Sequence, residues 1–412
     1  MTEGRRPNII LVVFDSLSEN AMVKLGDRLP VLSSFRQNSV RFTKAYVSAP
    51  ESGPARASLF TGLDMAAHGV WSDGVPLPKR EITVPEVFYR NGYKTWLVGR
   101  RQLAGVADWT TEHPRAQEYH HFDWAHGPLH RSRQNAYLNW LSSKAPQAYA
   151  NIFPSQANAD DTRIPDAQRQ AMADLPDALS FNTWVGVQFC EHLKTNATQP
   201  YCGIASFVTG QTMGAWSGNG PCMDALNKRA LQQADAALGT LLERVSKDTV
   251  IVITAGRGLI GYAPMCEDAL NVPLLIRSPY STPHIVSQTV STMDIAPTLY
   301  RLANIPAPQR IQGQCLLSAP ARAWMFSRLR HPDVPQQTAL SDGRWKLVSS
   351  QDQHSFGAQL QYSLYDLDED PHENHNLALL NAHDEKLDEM IDLMIDARVA
   401  LEDRTEPRIA KF

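Results

Sequence analysis

The strongest hydrophobic pattern in the chain is a continuous apolar run near its N-terminus. The run covers Asn8-Ile-Ile-Leu-Val-Val-Phe14, and its β-branched and aliphatic residues are typical of a strand buried on both faces of a parallel sheet. Similar runs recur at Lys94–Val98, Tyr201–Val208, Val250–Thr254 and Val272–Ile276. Helical patterns such as Ala225–Val245 alternate with these runs. Strands that alternate with helices predict a doubly wound, mostly parallel α/β core.

The segment from about residue 107 to residue 200 has a weaker periodicity. It is rich in Gln, Asn, Ala, Asp and His. A structureless loop of that length is uncommon in a compact domain. We therefore expect an insertion of helices and loops beside the sheet.

The pattern changes again after about residue 300. Gly343–Val348 and Tyr362–Asp366 predict antiparallel strands, and Lys386–Leu401 carries an apolar stripe at helical spacing. We expect an α/β core over residues 1–300, with a mostly parallel central sheet flanked by helices. A smaller C-terminal α+β subdomain over residues 301–412, with a small antiparallel sheet and a terminal helix, is expected to follow it.

Composition and charge exclude several classes of partner. Hydrophobic residues make up 43% and charged residues 20% of the chain, as in a globular protein. The net charge of −4 gives no reason to expect a nucleic acid or an anionic membrane as partner. The apolar run Ile9–Phe14 is too short for a signal peptide, and no run approaches the roughly 20 apolar residues of a membrane span. We therefore expect a cytoplasmic protein.

One stretch carries a specific family signature. Ser52-Gly-Pro-Ala-Arg56-Ala-Ser-Leu-Phe-Thr-Gly62 resembles the sulfatase signature, in which a Cys or Ser is followed by x-Pro-x-Arg and then by Ala-Ser-Leu-x-Thr-Gly. Gly92-Tyr-Lys-Thr95 is similar to the second signature of the same family, and Leu364–Pro371 is similar to a later landmark. The chain thus resembles the sulfatases of the alkaline phosphatase superfamily over nearly its whole length, which implies the sulfatase fold.

The resemblance implies a particular chemistry. Sulfatases oxidise the signature Cys or Ser to formylglycine, whose hydrate attacks the sulfur while a divalent cation, usually calcium, neutralises the ester oxygens. Positive charge must surround the site because the anionic ester otherwise repels a nucleophile. By resemblance, Ser52 and Arg56 are the catalytic positions and Asp15 is a metal ligand.

The chain departs from the family at the expected metal ligands. Asp15-Ser16 stands where the family has two adjacent aspartates, and Gly256-Arg257 stands where it has Asp-His or Asp-Asn. Calcium needs about six oxygen ligands, and a cation such as Arg257 would repel the ion. We therefore expect no metal cofactor, with calcium or another divalent cation at Asp15 as the alternative.

Residues that would assist the reaction have also changed. Arg100-Arg101-Gln102 replaces the family's Lys-x-His, which keeps positive charge but loses the titratable imidazole. Arginine forks suit the bidentate recognition of sulfate, phosphate or carboxylate groups. The candidate substrate-binding residues are Arg100, Arg101, Gln102, Gln211 and Arg257.

Ser52 has several interpretations. It could become formylglycine, attack directly as an alkoxide, or be an unmodified relic that contacts a ligand. Without a metal or a nearby base its hydroxyl stays protonated and is a weak nucleophile, so the relic or ligand-contact role is preferred over modification. Asp15 is expected to pair with Arg56, Arg100 or Arg257, since a buried carboxylate needs a partner.

Histidines contribute little to the predicted site. His68 matches a family landmark that we interpret as structural. A further group follows no zinc template and is interpreted as a solvated loop. Its members are His113, His120, His121, His126 and His130.

These observations lead to a functional hypothesis. We predict a sulfatase-family protein that has lost metal- and formylglycine-dependent hydrolysis of sulfate esters and is a pseudoenzyme or a metal-independent enzyme with an anion-binding cationic cleft. One alternative is an active sulfuric or phosphoric ester hydrolase that uses Ser52 with an atypical metal site. Another is a non-catalytic protein that works through homo-oligomerisation or a partner. The expected ligand is a small molecule with a sulfate, phosphate or carboxylate group.

Overall fold

Two sheets organise the chain. The computed structural model describes residues 6–104, 110–154, 166–196, 198–209, 225–259, 263–318, 322–331, 334–352 and 359–402. The strands of the large sheet are β1 (Asn8–Phe14), β2 (Val40–Tyr46), β3 (Lys94–Gly99), β4 (His121–Trp124), β5 (Tyr201–Phe207), β6 (Thr249–Ala255), β7 (Leu274–Arg277) and β8 (His284–Ser291). Those of the small sheet are β9 (Met325–Leu329), β10 (Gln336–Ser341), β11 (Trp345–Gln351) and β12 (Gln361–Asp366).

Helices cover both faces of the large sheet and one face of the small one. They are α1 (Glu19–Leu25), α2 (Pro30–Gln37), α3 (Ser52–Thr61), α4 (Met65–His68), α5 (Val84–Arg90), α6 (Ala136–Lys144), α7 (Pro146–Ile152), α8 (Asp166–Ala173), α9 (Phe181–Asn196), α10 (Ala225–Leu242), α11 (Glu267–Leu270), α12 (Ile295–Leu302) and α13 (Asp384–Leu401). No helix in the described ranges is long and apolar enough to cross a bilayer.

The large sheet has the strand order β4-β3-β5-β1-β6-β7-β2-β8, with β1 parallel to both of its neighbours, β5 and β6. Alternate residues of β1 enter two separate cores: Ile10 and Val12 pack in one, Ile9 and Leu11 in the other. This double burial explains the unbroken apolar run. It also confirms the predicted mostly parallel sheet flanked by helices.

The direction of β7 corrects one expectation. The run Val272–Ile276 was expected to continue the parallel pattern, but β7 is antiparallel to both β6 and β2. The connection from β6 contains the four-residue helix α11, and the Asn271 carbonyl beside β7 bonds the Glu19 N–H, just beyond β1. A parallel strand needs a crossover that returns the chain to the opposite edge. Here the chain turns back at the same edge instead.

The C-terminal region forms an antiparallel sheet in the order β12-β11-β10-β9, with α13 packed against it. Its core contains Leu340, Leu347, Leu364 and Met390, all fully buried. The predicted strands and terminal helix are therefore confirmed as β11, β12 and α13. The proposed domain boundary near residue 300 stays a prediction.

Candidate functional site

The candidate site lies where the central parallel strands end. Asp15 follows β1, Arg100 follows β3 and Gly256 follows β6. The Asp15 N–H donates to the Phe207 carbonyl over 2.8 Å, and the Gly256 N–H donates to the Phe14 carbonyl over 2.7 Å. Because parallel strands end at one common edge, residues far apart in sequence meet there, as open α/β folds require of their ligand sites.

Helix α3 brings the signature residues to this edge. All ten of its residues are buried, which explains the preponderance of Gly, Ala and Ser in the stretch. The helix ends at Gly62, whose φ of 69° is left-handed and whose position leaves no room for a Cβ beside Ile311. Ser52 opens the helix, and Arg56 follows one turn later on the same face.

Two arginines neutralise the Asp15 carboxylate. Arg100 Nη1 lies 2.9 Å and Arg56 Nη2 lies 3.6 Å from Asp15 Oδ1. Asp15 and Arg56 are fully buried, and Arg100 is 2% exposed. The structure confirms the pairing that was expected from the sequence. These guanidinium groups provide the positive charge that a buried carboxylate requires.

Further hydrogen bonds fix both arginines. Arg56 donates to the Arg100 carbonyl over 3.0 Å and to Ser206 Oγ over 3.1 Å. Arg100 Nε donates to the His126 carbonyl. The two side chains are therefore held by the framework as well as by Asp15.

The charges of the cluster shift the pKa values of its members. Burial alone would raise the pKa of Asp15, but Arg100, Arg56 and Arg257 outweigh it and hold the pKa below its ordinary value. Burial lowers the pKa of Arg56 to about 10, although Asp15 opposes the shift. Asp15 is consequently ionised at neutral pH and Arg56 remains a cation.

Several polar atoms of the cluster have no hydrogen-bond partner among the residues that the structure describes. They are Asp15 Oδ2, Arg56 Nε and Arg100 Nη2, all buried. Buried polar groups nearly always have a protein, water or ligand partner. An oxyanion or a water is the kind of partner that such donors require.

Arg257 adds a third positive charge at the edge of the cluster. It is half-buried, and its field acts on both Asp15 and Glu51. Its side chain makes no hydrogen bond or ion pair with any residue in the described ranges. Arg56, Arg100 and Arg257 are called the cationic cluster below.

The residues present do not fit a calcium ion. Within the described part of the chain, no three His, Cys, Asp or Glu side chains are placed to hold a metal. Asp15 Oδ1 is bonded to Arg100, and the Ser16 hydroxyl donates to the Gly258 carbonyl over 2.7 Å. A Cβ at Gly256 would lie 3.1 Å from Arg56 Nε. A guanidinium therefore lies beside the position of the family's second carboxylate.

Two acidic residues that were not predicted as site residues, Glu51 and Asp73, flank Ser52. Ser52 and Glu51 are 4% and 5% exposed. Asp73 Oδ1 accepts the Gly53 N–H over 2.6 Å, and the Asp73 carboxylate acts electrostatically on Glu51. Burial, together with the Asp73 carboxylate, raises the pKa of Glu51 to about 7. Their approach depends on a chain reversal between Ser52 and Asp73, which residue types alone do not reveal.

The arginine and glutamine that follow Arg100 point in different directions. Arg101 is paired with Glu112 and Glu118, at 2.9 and 2.7 Å, so its guanidinium braces the framework instead of lining the site. Gln102 has a left-handed φ of 60° and donates to Asp73 Oδ1 over 3.2 Å. Such a backbone in a non-glycine residue is strained and is frequent at functional sites.

One further candidate, Gln211, lies outside the described residues. No position can be assigned to its amide relative to the cationic cluster.

The histidines do not form a single solvated loop. His113, His120 and His121 are exposed, as expected, but His130 is buried and His126 is half-buried, with the His126 carbonyl bonded to Arg100. Burial, followed by Arg100, His130 and Arg56, holds the pKa of His126 well below its usual value. The imidazole is therefore neutral beside the cationic cluster.

His68 has the structural role that was expected. It is fully buried, its Nδ1 accepts the Val70 N–H over 3.0 Å, and its Nε2 lies 3.0 Å from Ser58 Oγ. Since Nδ1 accepts, Nε2 carries the proton and donates to Ser58. Burial lowers the pKa of His68 to about 3, so it stays neutral.

Comparisons with known proteins agree with this fold. The sulfatase family model matches residues 7–305, and the C-terminal model of N-sulphoglucosamine sulphohydrolase matches residues 258–400. An uncharacterized sulfatase of Escherichia coli, YidJ, is 27% identical over 90% of this chain and 83% of its own length. Human arylsulfatase A is 26% identical over 91% and 84%.

Solved structures are similar over almost their whole length. The phosphonate monoester hydrolase of Silicibacter pomeroyi has a TM-score of 0.76 at 19% identity, covering 97% of this chain and 96% of its own. A protein solved with its substrate D-glucosamine-2-N,6-O-disulfate has a TM-score of 0.72 at 16% identity, covering 97% and 99%. With the family model matching well over half of its residues, the chain belongs to the sulfatase family.

Proposed function

We propose that this chain is a metal-independent, anion-binding member of the sulfatase family that no longer hydrolyses sulfate esters. The observation that carries the proposal is the buried ion pair of Asp15 with Arg100, reinforced by Arg56. The guanidinium groups of Arg100 and Arg56 neutralise the Asp15 carboxylate, which would otherwise be available as a metal ligand. Binding calcium at Asp15 would require both guanidinium groups to move or to lie against the ion, at a large electrostatic cost.

The positive charges and free donors of the cluster support an anionic ligand. Three guanidinium groups act on the single buried carboxylate of Asp15, although the Asp73 carboxylate also acts on Arg56. Arg257 is the half-exposed member, and Arg56 Nε and Arg100 Nη2 are donors without acceptors among the described residues. A sulfate, phosphate or carboxylate group could accept from such donors with good geometry.

Loss of hydrolysis is supported by the surroundings of Ser52: among the described residues, neither Glu51 nor Asp73, which carry the carboxyl groups beside it, accepts a hydrogen bond from the Ser52 hydroxyl. A serine hydroxyl is a weak nucleophile unless a base or a metal activates it. Gln102 stands where the family has its histidine, and an amide cannot transfer a proton. The neutral imidazole of His126 belongs to a different loop, and it is the His126 backbone carbonyl, not the ring, that accepts the hydrogen bond from Arg100 Nε. We therefore propose an unmodified Ser52 that contacts the ligand.

A titration with matched aryl compounds tests the proposal. We expect three compounds to raise the melting temperature equally with calcium or with EDTA: p-nitrophenyl sulfate, p-nitrobenzoate and p-nitrophenyl phosphate. Neither of the two esters should release nitrophenol. Arg257→Ala should weaken binding about tenfold, as expected for one charged hydrogen-bonding partner. Arg90→Ala, which removes a half-exposed arginine from the surface of α5, is the matched control and should leave binding unchanged.

Two results would contradict the proposal. One is calcium-dependent hydrolysis that is lost in Ser52→Ala, which would indicate an active hydrolase. The other is the absence of any stabilisation by anions at low salt, which would leave the cluster as an internally neutralised remnant. Cytoplasmic location and homo-oligomerisation stay predictions.

A further inference from the structure

The N-terminus of α3 already holds an anion, which is a side chain of the protein itself. Asp73 Oδ1 accepts hydrogen bonds from the Gly53 N–H, at 2.6 Å, and from Gln102 Nε2, at 3.2 Å. Gly53 is the second residue of α3, whose free N–H groups and dipole favour negative charge. The Asp73 carboxylate also acts electrostatically on Arg56. It therefore occupies the place that suits an oxyanion beside the cationic cluster.

We infer that Asp73 is an internal competitor for this anion site, and that the ligand presents a monoanionic oxyanion, a carboxylate or a sulfate ester, which displaces it. The inference rests on the proposed anion-binding function and adds the ligand class and the group that controls access.

Gly53 makes the internal contact possible. A Cβ placed on Gly53 would lie 2.7 Å from Asp73 Oδ1, closer than real Cβ contacts allow. Any other residue at this position would therefore push the carboxylate away from the helix. Because Asp73 is exposed and lies in a turn of the chain, its side chain can leave without disturbing a core.

Glu51 explains why the ligand should carry one negative charge. It is 5% exposed, its Oε2 has no hydrogen-bond partner among the described residues, and Asp73 and Arg257 are the charged groups that act on it. Two adjacent carboxyl groups already share this end of α3. A second charge on the incoming group would add repulsion at close range, whereas a monoanion replaces Asp73 with no change in charge.

A simple alternative is that Asp73 only caps α3, since the Glu51 side chain makes no capping bond. Removal of a cap costs stability and does not create affinity for a ligand. The two roles therefore predict different results for binding.

The test compares two variants at the contact between Asp73 and α3. Asp73→Ala deletes the carboxylate, and Gly53→Ala places a Cβ where Asp73 Oδ1, and hence an oxygen of the ligand, would lie. Asp73→Ala should bind p-nitrophenyl sulfate or p-nitrobenzoate about tenfold more tightly than the wild type, as expected when a competing charged acceptor is removed, whereas Gly53→Ala should show no such gain. Asp177→Ala, which removes an exposed aspartate that accepts from Arg229, is the control and should not change affinity.

The outcomes separate the claims. The compound whose affinity rises more in Asp73→Ala, p-nitrophenyl sulfate or p-nitrobenzoate, shows whether the ligand presents a sulfate ester or a carboxylate. In Asp73→Ala the pKa of Glu51, followed by carbon-13 NMR, should also fall from about 7. Equal binding by the wild type and Asp73→Ala would overturn this inference and leave the proposed function intact. No binding by any of them would overturn both, and a greater gain with p-nitrophenyl phosphate would contradict the assigned ligand class.

Discussion

At the residue scale, the site depends on what surrounds the Asp15 carboxylate. Asp15 is fully buried, and the pairing with Arg100 and Arg56 compensates its desolvation. Asp15 Oδ2 has no hydrogen-bond partner among the residues that the structure describes, so their contribution to the compensation comes mainly through Oδ1. The ion pair is therefore a structural element of the folded protein as well as a feature of the site.

Substitution of Asp15 tests this structural role. Asp15→Asn removes the charge and leaves two buried guanidinium groups uncompensated, so the free energy of unfolding should fall by about 3 kcal/mol. Urea denaturation of wild type and variant measures the change. EDTA should have no effect on either protein. If EDTA lowered the wild-type stability to that of Asp15→Asn, a bound metal would be the partner of Asp15.

At the element scale, α3 combines the sequence signature with a crowded acidic N-terminus. Its interior was predictable, because the small residues from Ser52 to Gly62 match the family signature and allow complete burial. Its N-terminal environment was not predictable. Asp73 reaches Gly53 only through the turn that follows α4, and no periodicity or motif in the sequence marks that approach.

The raised pKa of Glu51, the residue before α3, predicts a pH dependence of stability. The carboxyl has a folded-state pKa of about 7 against an ordinary value of 4.5, so the folded state favours the protonated form. Its stabilising contribution is present below pH 4.5 and is lost as pH rises through 7. The stability of the wild type relative to Glu51→Gln should fall by about 2 kcal/mol across this window.

Thermal or urea denaturation between pH 4.5 and pH 8 measures this difference. Glu243→Gln, a change at an exposed glutamate on the surface after α10, is the control and should follow the wild type at every pH. Parallel curves for wild type and Glu51→Gln would show that the Glu51 carboxyl titrates equally in the folded and unfolded states.

At the scale of the whole molecule, the sequence predicted the architecture better than the site. The apolar run of β1 and the landmarks spread along the chain indicated a mostly parallel sheet with a C-terminal α+β region, which the strand orders confirm. The antiparallel direction of β7 was not predicted. An apolar run such as Val272–Ile276 has the same pattern in a parallel strand and in an antiparallel one. At the site, the sequence showed that Ser16 and Gly256 stand where the family has carboxylates. The acidic partners of Arg101 could be identified only from the folded structure.

In the proposed function, guanidinium groups take the place of a divalent cation beside Asp15. The most direct measurement is the metal content of the purified protein by mass spectrometry, combined with a calcium titration by calorimetry. We predict no stoichiometric divalent metal and no heat of calcium binding at millimolar concentrations. One equivalent of calcium that binds to the wild type and is lost in Asp15→Asn would contradict the account.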